Sequence, residues 1–169
     1  FDMGYTASDN SRQRPIVIHR AVFGTFERFM GVLLEHTAGV LPTWMSPVQA
    51  VVVPISDKST DYAFEVLAKL KAAGLRAEVD DRNEKMNLKI REAELRKTPY
   101  MIVVGEREAE LGTCSVRTYK DGPRGAFEVS TIVAEIADKV KTREFDVKIM
   151  PLRSFDNEDE APVETESEY

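Results

Sequence analysis

The amino-acid sequence predicts an α/β fold: a mixed, mainly parallel five-stranded sheet flanked by helices, with a strand–helix segment ahead of it. Three observations carry this. Apolar, β-branched runs at 48–55, 75–79 and 100–104 alternate with segments of helical spacing, the pattern of parallel strands joined by helices. Two further short strands, 113–118 and 126–129, follow one another across a glycine-containing turn and so add an antiparallel edge. The turn residues fall between these runs rather than inside them. Crossovers between the parallel strands are expected to be right-handed.

Taken in order, residues 1–14 are polar and read as a hairpin or loop. Ile16, Val17 and Ile18 form a short apolar run that predicts a strand. Gly24 then breaks the pattern, and Phe26, Phe29, Met30 and Leu33 recur at helical spacing up to about Thr37, with a stop near Gly39. Pro42 and Pro47 bracket Trp44 in a stiff connector, where Trp44 is expected to pack. The strand at 48–55 is followed by a turn at 57–59 and by a helix marked by Ala63, Val66, Leu67 and Leu70, which ends at Gly74. After the strand at 75–79 come a polar loop (80–84) and a helix over 86–98, stopped by Pro99. The strand at 100–104 leads into a charged stretch, 106–112, expected as a loop. Strand 113–118, a hairpin turn at 120–125 and strand 126–129 precede a last helix marked by Ile132, Val133, Ile136 and Val140. Beyond 144 the helical period is lost, and 145–155 is expected as a docking arm followed by an unstructured end.

The first chemically suggestive stretch is the strand–turn–helix around Gly24. A glycine without Cβ lets a flat ligand approach the backbone. Arg28 lies one turn into the helix, beside free N–H groups that favour anions, and its planar guanidinium suits a phosphate or a base. The full string His19-Arg20-Ala21-x-x-Gly24-Thr25-x-Glu27-Arg28-Phe29 resembles motif 3 of class II aminoacyl-tRNA synthetases, and the threonyl-tRNA synthetase family in particular. That resemblance implies that Arg28 binds ATP (with Mg2+), that Gly24 and Thr25 border the adenylate, and that His19 is one of three zinc ligands. Thr25 stands where the family usually has serine. The connector around Pro42, Thr43 and Trp44 is similar to the family's junction between catalytic and C-terminal domains.

The helix over 86–98 and the loop before it carry Arg82, Lys85, Lys89, Arg91, Arg96 and Lys97. Lys85, Lys89 and Arg96 fall within about 40° of one another on a helical wheel, a stripe suited to an RNA backbone, although Glu92 shares that face. Here too the family is matched: Arg82-Asn83-Glu84-Lys85 and Lys89-Ile90-Arg91-Glu92 resemble its anticodon-domain motifs. The resemblance implies that Asn83 contacts the anticodon, with Lys85 and Lys89 beside it. It also implies that Glu108 and Arg117 read the second and third anticodon letters, guanine and uracil. The expected organisation is then 1–46 as the end of a catalytic domain, 47–144 as an anticodon-binding domain and 145–169 as an acidic tail. The expected activity is ATP-dependent attachment of threonine to its tRNA by a homodimeric enzyme, this segment alone being inactive and zinc-free. On pattern alone two alternatives stand beside it: a non-catalytic RNA-binding module, and a flavodoxin-like small-molecule binder. The lack of a G-x-x-x-x-G-K-[ST] loop lowers the last. Tyr119 offers a stacking face near Arg117 but is expected to pack.

Composition narrows the classes further. The 169 residues carry a net charge of −6, but the seven acids between 156 and 168 account for it; without them 23 basic residues face 22 acidic ones. An RNA partner is therefore compatible with the charge. The single cysteine, Cys114, excludes an internal disulfide and suits a cytoplasmic setting; nothing beside it marks a nucleophile. His36 is expected at a helix end. The apolar runs are too short for a membrane-spanning helix, no leader is evident, and the opening Phe1 suggests a piece of a longer chain.

Overall fold

The computed structural model describes residues 2–147. It divides into two compact units, Phe1–Val32 and Leu33–Tyr169.

In the first unit, β1 (Tyr5–Thr6) and β2 (Arg12–Gln13) form a small antiparallel hairpin. Asn10 takes a left-handed conformation at its turn, and Asp9 accepts hydrogen bonds from the Ser11 N–H and hydroxyl at 3.0 and 2.6 Å. The strand expected at Ile16–Ile18 is not formed: Ile16 and Ile18 are 91% and 85% exposed. A strand is held by its neighbour's ladder, and none lies beside this run among the described residues. Helix α1 (Phe26–His36) follows, its N-terminus capped by the Thr25 hydroxyl, which accepts from the Arg28 N–H at 3.3 Å. Phe23 and Phe29 stack with ring centroids 4.4 Å apart.

The second unit is built on a five-stranded sheet of order β4-β3-β5-β6-β7. The strands are β3 (Ala50–Pro54), β4 (Ala77–Val79), β5 (Tyr100–Val104), β6 (Thr113–Thr118) and β7 (Gly122–Glu128). β3 runs parallel to both β4 and β5, whereas β6 and β7 are antiparallel, as the hairpin requires. The helices are α2 (Thr60–Ala72), α3 (Met86–Leu95), α4 (Glu106–Leu111) and α5 (Val129–Thr142), with a 3-10 turn at Asp57–Ser59 before α2.

Alternation along the strands divides the sheet into two faces. Ala50, Val52, Tyr100, Ile102, Val104, Cys114 and Val116 project to one side, where Ala63, Val66 and Leu70 of α2 and Ile132 and Ile136 of α5 close the main core. α3 packs against β3 on the opposite side, which carries Arg117 and Ser115. Tyr100 donates to Glu135 at 2.9 Å, and Arg124 forks onto the same carboxylate at 2.6 and 3.1 Å. The Arg124 hydrogen bond holds the Glu135 carboxyl below its ordinary value despite burial, and Arg82 does the same for Asp80. Depressed carboxylates stabilise the fold above their unfolded pKa of about 4 and lose that contribution as pH falls through the folded values. The thermal midpoint should therefore be flat from neutral pH to about 5 and fall below it. Glu135→Gln should blunt that acid limb; an unchanged limb would remove the Arg124–Glu135 pair as a cause.

Two differences from the sequence-based expectation have clear physical reasons. Residues 106–112, expected as a loop, contain helix α4. Gly105 opens it, the Glu108 carboxylate accepts from the Gly105 N–H at 3.1 Å, and Gly112 closes it at φ +67°. The helix is short and its outer residue Leu111 is 75% exposed, so no apolar period marks it. Strand β7 begins at Gly122 rather than 126, because the hairpin turn occupies 119–121. Pro123 is tolerated there since β7 is an edge strand.

Candidate nucleic-acid interface

The residues singled out by sequence fall in both units. His19, Gly24, Thr25 and Arg28 lie in the first. All four are exposed; Gly24 sits at φ +69° with open space where a Cβ would project. Among the described residues no three His, Cys, Asp or Glu side chains gather as a metal site requires. One imidazole does not make a zinc site.

Asn83, Lys85, Lys89, Glu108 and Arg117 lie in the second unit. Asn83 sits in the loop between β4 and α3, exposed and with no side-chain hydrogen bond among the described residues. The loop around it is fixed by its neighbour: Arg82 forks onto Asp80 at 2.8 and 2.7 Å and reaches Glu92 of α3 at 2.6 Å. Arg82 thus ties the end of β4 to the middle of α3, across the residues that carry Asn83. Lys85 is exposed at the start of α3, where its carbonyl accepts from the N–H groups of Leu88 and Lys89. Lys89 departs from the solvent-facing stripe expected of it. It is only 5% exposed and lines a cleft of about 460 Å3 together with Val51, Asp80, Arg82 and Ala93. Helical spacing brought Lys85, Lys89 and Arg96 to one side, but that side is partly the one turned toward the sheet.

Glu108 and Arg117 are brought onto one track. Arg117 and Ser115 are alternate residues of β6 and share the face that α3 occupies. The Ser115 hydroxyl donates to Glu108 at 3.2 Å, while the other Glu108 oxygen caps α4. A carboxylate has further acceptor capacity beyond these two bonds. Arg117 donates through Nε to Glu94 of α3 at 2.8 Å. Both side chains of that pair are more than a third exposed. Next to Arg117 the β6–β7 ladder shifts register, its partners jumping from Gly125 to Pro123, a bulge of the kind that re-aims side chains. The outcome is a face where the guanidinium and hydroxyl of β6 meet the carboxylates of Glu108 on α4 and Glu94 on α3. Such a set offers donors and acceptors to the edges of unpaired bases.

The remaining candidates are structural. Cys114 is buried, and desolvation pushes its thiol up to about 11, so it is protonated at neutral pH. Trp44 belongs to a segment of the second unit clamped to the start of β3 and β4. Arg76 donates to the carbonyls of Trp44 and Ser46 at 2.8 Å each. Gln49 donates to the Thr43 carbonyl at 3.1 Å, and Asp146 accepts from Thr43 at 3.1 and 2.7 Å. Arg76 and Asp146 had no signal in the sequence, since their partners lie 30 or more residues away along the chain. The docking expected of 145–155 is met at Asp146; the rest of that stretch and the acidic end lie outside the described residues. No helix among the described residues is long and apolar enough to cross a membrane.

A mixed sheet with this polar face beside α3 and α4 defines an α/β domain, and comparison with known proteins gives its class. Residues 49–158 match the model of the anticodon binding domain, and the chain belongs to that family. Its curated relatives include the threonine–tRNA ligases of Aquifex aeolicus (strain VF5), 51% identical over 144 residues, and of Chlorobaculum tepidum, 52% identical over 139. These matches cover 85% and 82% of this chain but only 23% and 21% of those proteins. Among solved structures, the RNA binding domain of threonyl-tRNA synthetase from Cryptosporidium parvum Iowa II superposes with a TM-score of 0.68 at 33% identity, over 81% of this chain and 35% of that one. A prolyl-tRNA synthetase from Cryptosporidium parvum shares the fold, with a TM-score of 0.59 at 23% identity over 69% of this chain and 26% of that one.

Proposed function

We propose that this chain is the tRNA-recognising segment of a cytoplasmic threonine–tRNA ligase, which attaches threonine to its tRNA at the expense of ATP. The observation that carries the reading is identity of about half the residues with threonine–tRNA ligases along 85% of the chain. In this reading 1–46 closes a catalytic domain, 47–144 is the anticodon-binding domain and 145–169 is a tail. The complete enzyme is a homodimer through its catalytic part.

Recognition falls to Arg117 on β6 and Glu108 on α4. Arg117 donates two hydrogen bonds to O6 and N7 of a guanine, while Glu108 accepts from a base N–H. Asn83 contacts the anticodon from the Arg82-braced loop, and Lys85 supplies charge toward the backbone. Lys89 acts from the cleft under α3, where its ammonium supports the Asp80–Arg82–Glu92 brace. In the first unit, Arg28 binds phosphate beside Gly24 and Thr25. In the whole enzyme ATP with Mg2+ would supply the adenylyl group that activates the threonine carboxylate, with pyrophosphate leaving.

The test is a fluorescence-anisotropy titration of this chain with a threonine-tRNA anticodon stem-loop and with the same loop altered at the middle base. Preferential binding of the unaltered loop, weakening as salt rises, is the expected result. Equal affinity for both loops would overturn base readout by this domain.

A further inference from the structure

The Glu94–Arg117 pair joins the helix α3 to the strand β6 across the recognition face, and the base-reading role of Arg117 does not by itself explain it. Glu94 accepts a hydrogen bond from Arg117 Nε at 2.8 Å. Among the described residues, the two terminal nitrogens of Arg117 have no partner. These terminal nitrogens form the fork that a guanine edge requires. A contact through Nε therefore fixes the plane of the guanidinium while leaving its reading end vacant. A carboxylate placed on the fork itself would instead block it. The side chain is 36% exposed and stands beside the β6–β7 bulge, so without an anchor it would sample many rotamers.

We propose that Glu94 is a positioning residue for base readout. It holds Arg117 in the orientation that a guanine needs and so lowers the ordering cost of recognition. The inference rests on the anticodon-reading function proposed above. Immobilising one long side chain in advance is worth about a three- to tenfold change in binding. It acts selectively, because only a base with acceptors matching the fork benefits from a fork already in place. Glu94 also adds a negative charge to the face that meets a polyanion, so its removal has opposing effects on total affinity. The cognate-to-altered ratio, not affinity alone, is therefore the diagnostic quantity.

The experiment measures this ratio by anisotropy titration for the wild-type chain, E94A, E94Q, R117A and the E94A/R117A double variant, with thermal midpoints recorded alongside. An exposed ion pair adds little to stability, so all variants should fold. E94A is expected to lower the ratio about three- to tenfold. E94Q keeps an acceptor oxygen for Nε and is expected to stay within about twofold of wild type. The double variant should match R117A, because Glu94 acts only through Arg117. If R117A lowers the ratio and E94A does not, positioning by Glu94 is overturned while the function stands. If E94Q falls as far as E94A, charge rather than orientation is responsible and the proposal fails. If R117A itself leaves the ratio unchanged, base readout by Arg117 and its positioning both fall.

Discussion

Truncating Ile102 to alanine lowers the stability of the second unit by about 2–5 kcal/mol. Ile102 lies at the middle of β5, paired with Val52 on one side and Val116 on the other, and is 1% exposed. Its side chain projects into the core closed by α2 and α5. Removing it forfeits the transfer free energy of the lost carbons and leaves a cavity that a close-packed interior relaxes only in part. Chemical denaturation should show the midpoint shift without a change in slope. Leu111→Ala is the control: at 75% exposure its removal should change stability by no more than about 0.5 kcal/mol. Equal small losses from both variants would mean that the core is not where the sheet faces place it.

The second large effect concerns recognition. Arg117→Ala should cost about 1–3 kcal/mol of discrimination between the cognate anticodon loop and one altered at its guanine, roughly ten- to a hundredfold. The loss should fall on the cognate loop, since the altered one never engaged the fork. Among the described residues Arg117 pairs with Glu94 of α3 and lies outside the main core, so folding should be preserved. Isothermal calorimetry on both loops would check this, and a uniform loss on both would indicate a phosphate contact rather than a base contact.

Elements that bury an unbroken or strictly alternating pattern were readable residue by residue. Tyr100–Val104 is apolar throughout because both faces of this central strand are covered, and Thr113–Thr118 alternates because only alternate residues are buried. Helix α4 escaped such reading because its stability comes from end caps and helix-forming charged residues rather than from an apolar stripe. The run at Ile16–Ile18 shows the opposite limit. Its propensity favours a strand, but strand formation is decided by a partner, and propensity is blind to partners. Among the candidate site residues, motif resemblance pointed to Asn83, Glu108 and Arg117, whereas their supports did not show. Glu94, Arg82 with Asp80, and Ser115 acquire their roles only when α3, the β4 end and β6 come together. The orientation of Lys89 was hidden for the same reason: a helical wheel ranks side chains around an axis but does not say where the sheet lies.

The two-sided sheet has a consequence for how such a domain can change over time. The main core lies between the strands and the α2–α5 pair, whereas the polar residues Ser115 and Arg117 stand on the far side of the same strands, beside a smaller buried layer under α3. Alternate residues of one strand thus meet different demands: Val116 packs into the core, while Arg117 carries the discrimination proposed above. A lineage can exchange the displayed set and address a different ligand while the scaffold persists, and can accumulate core substitutions without losing its existing specificity.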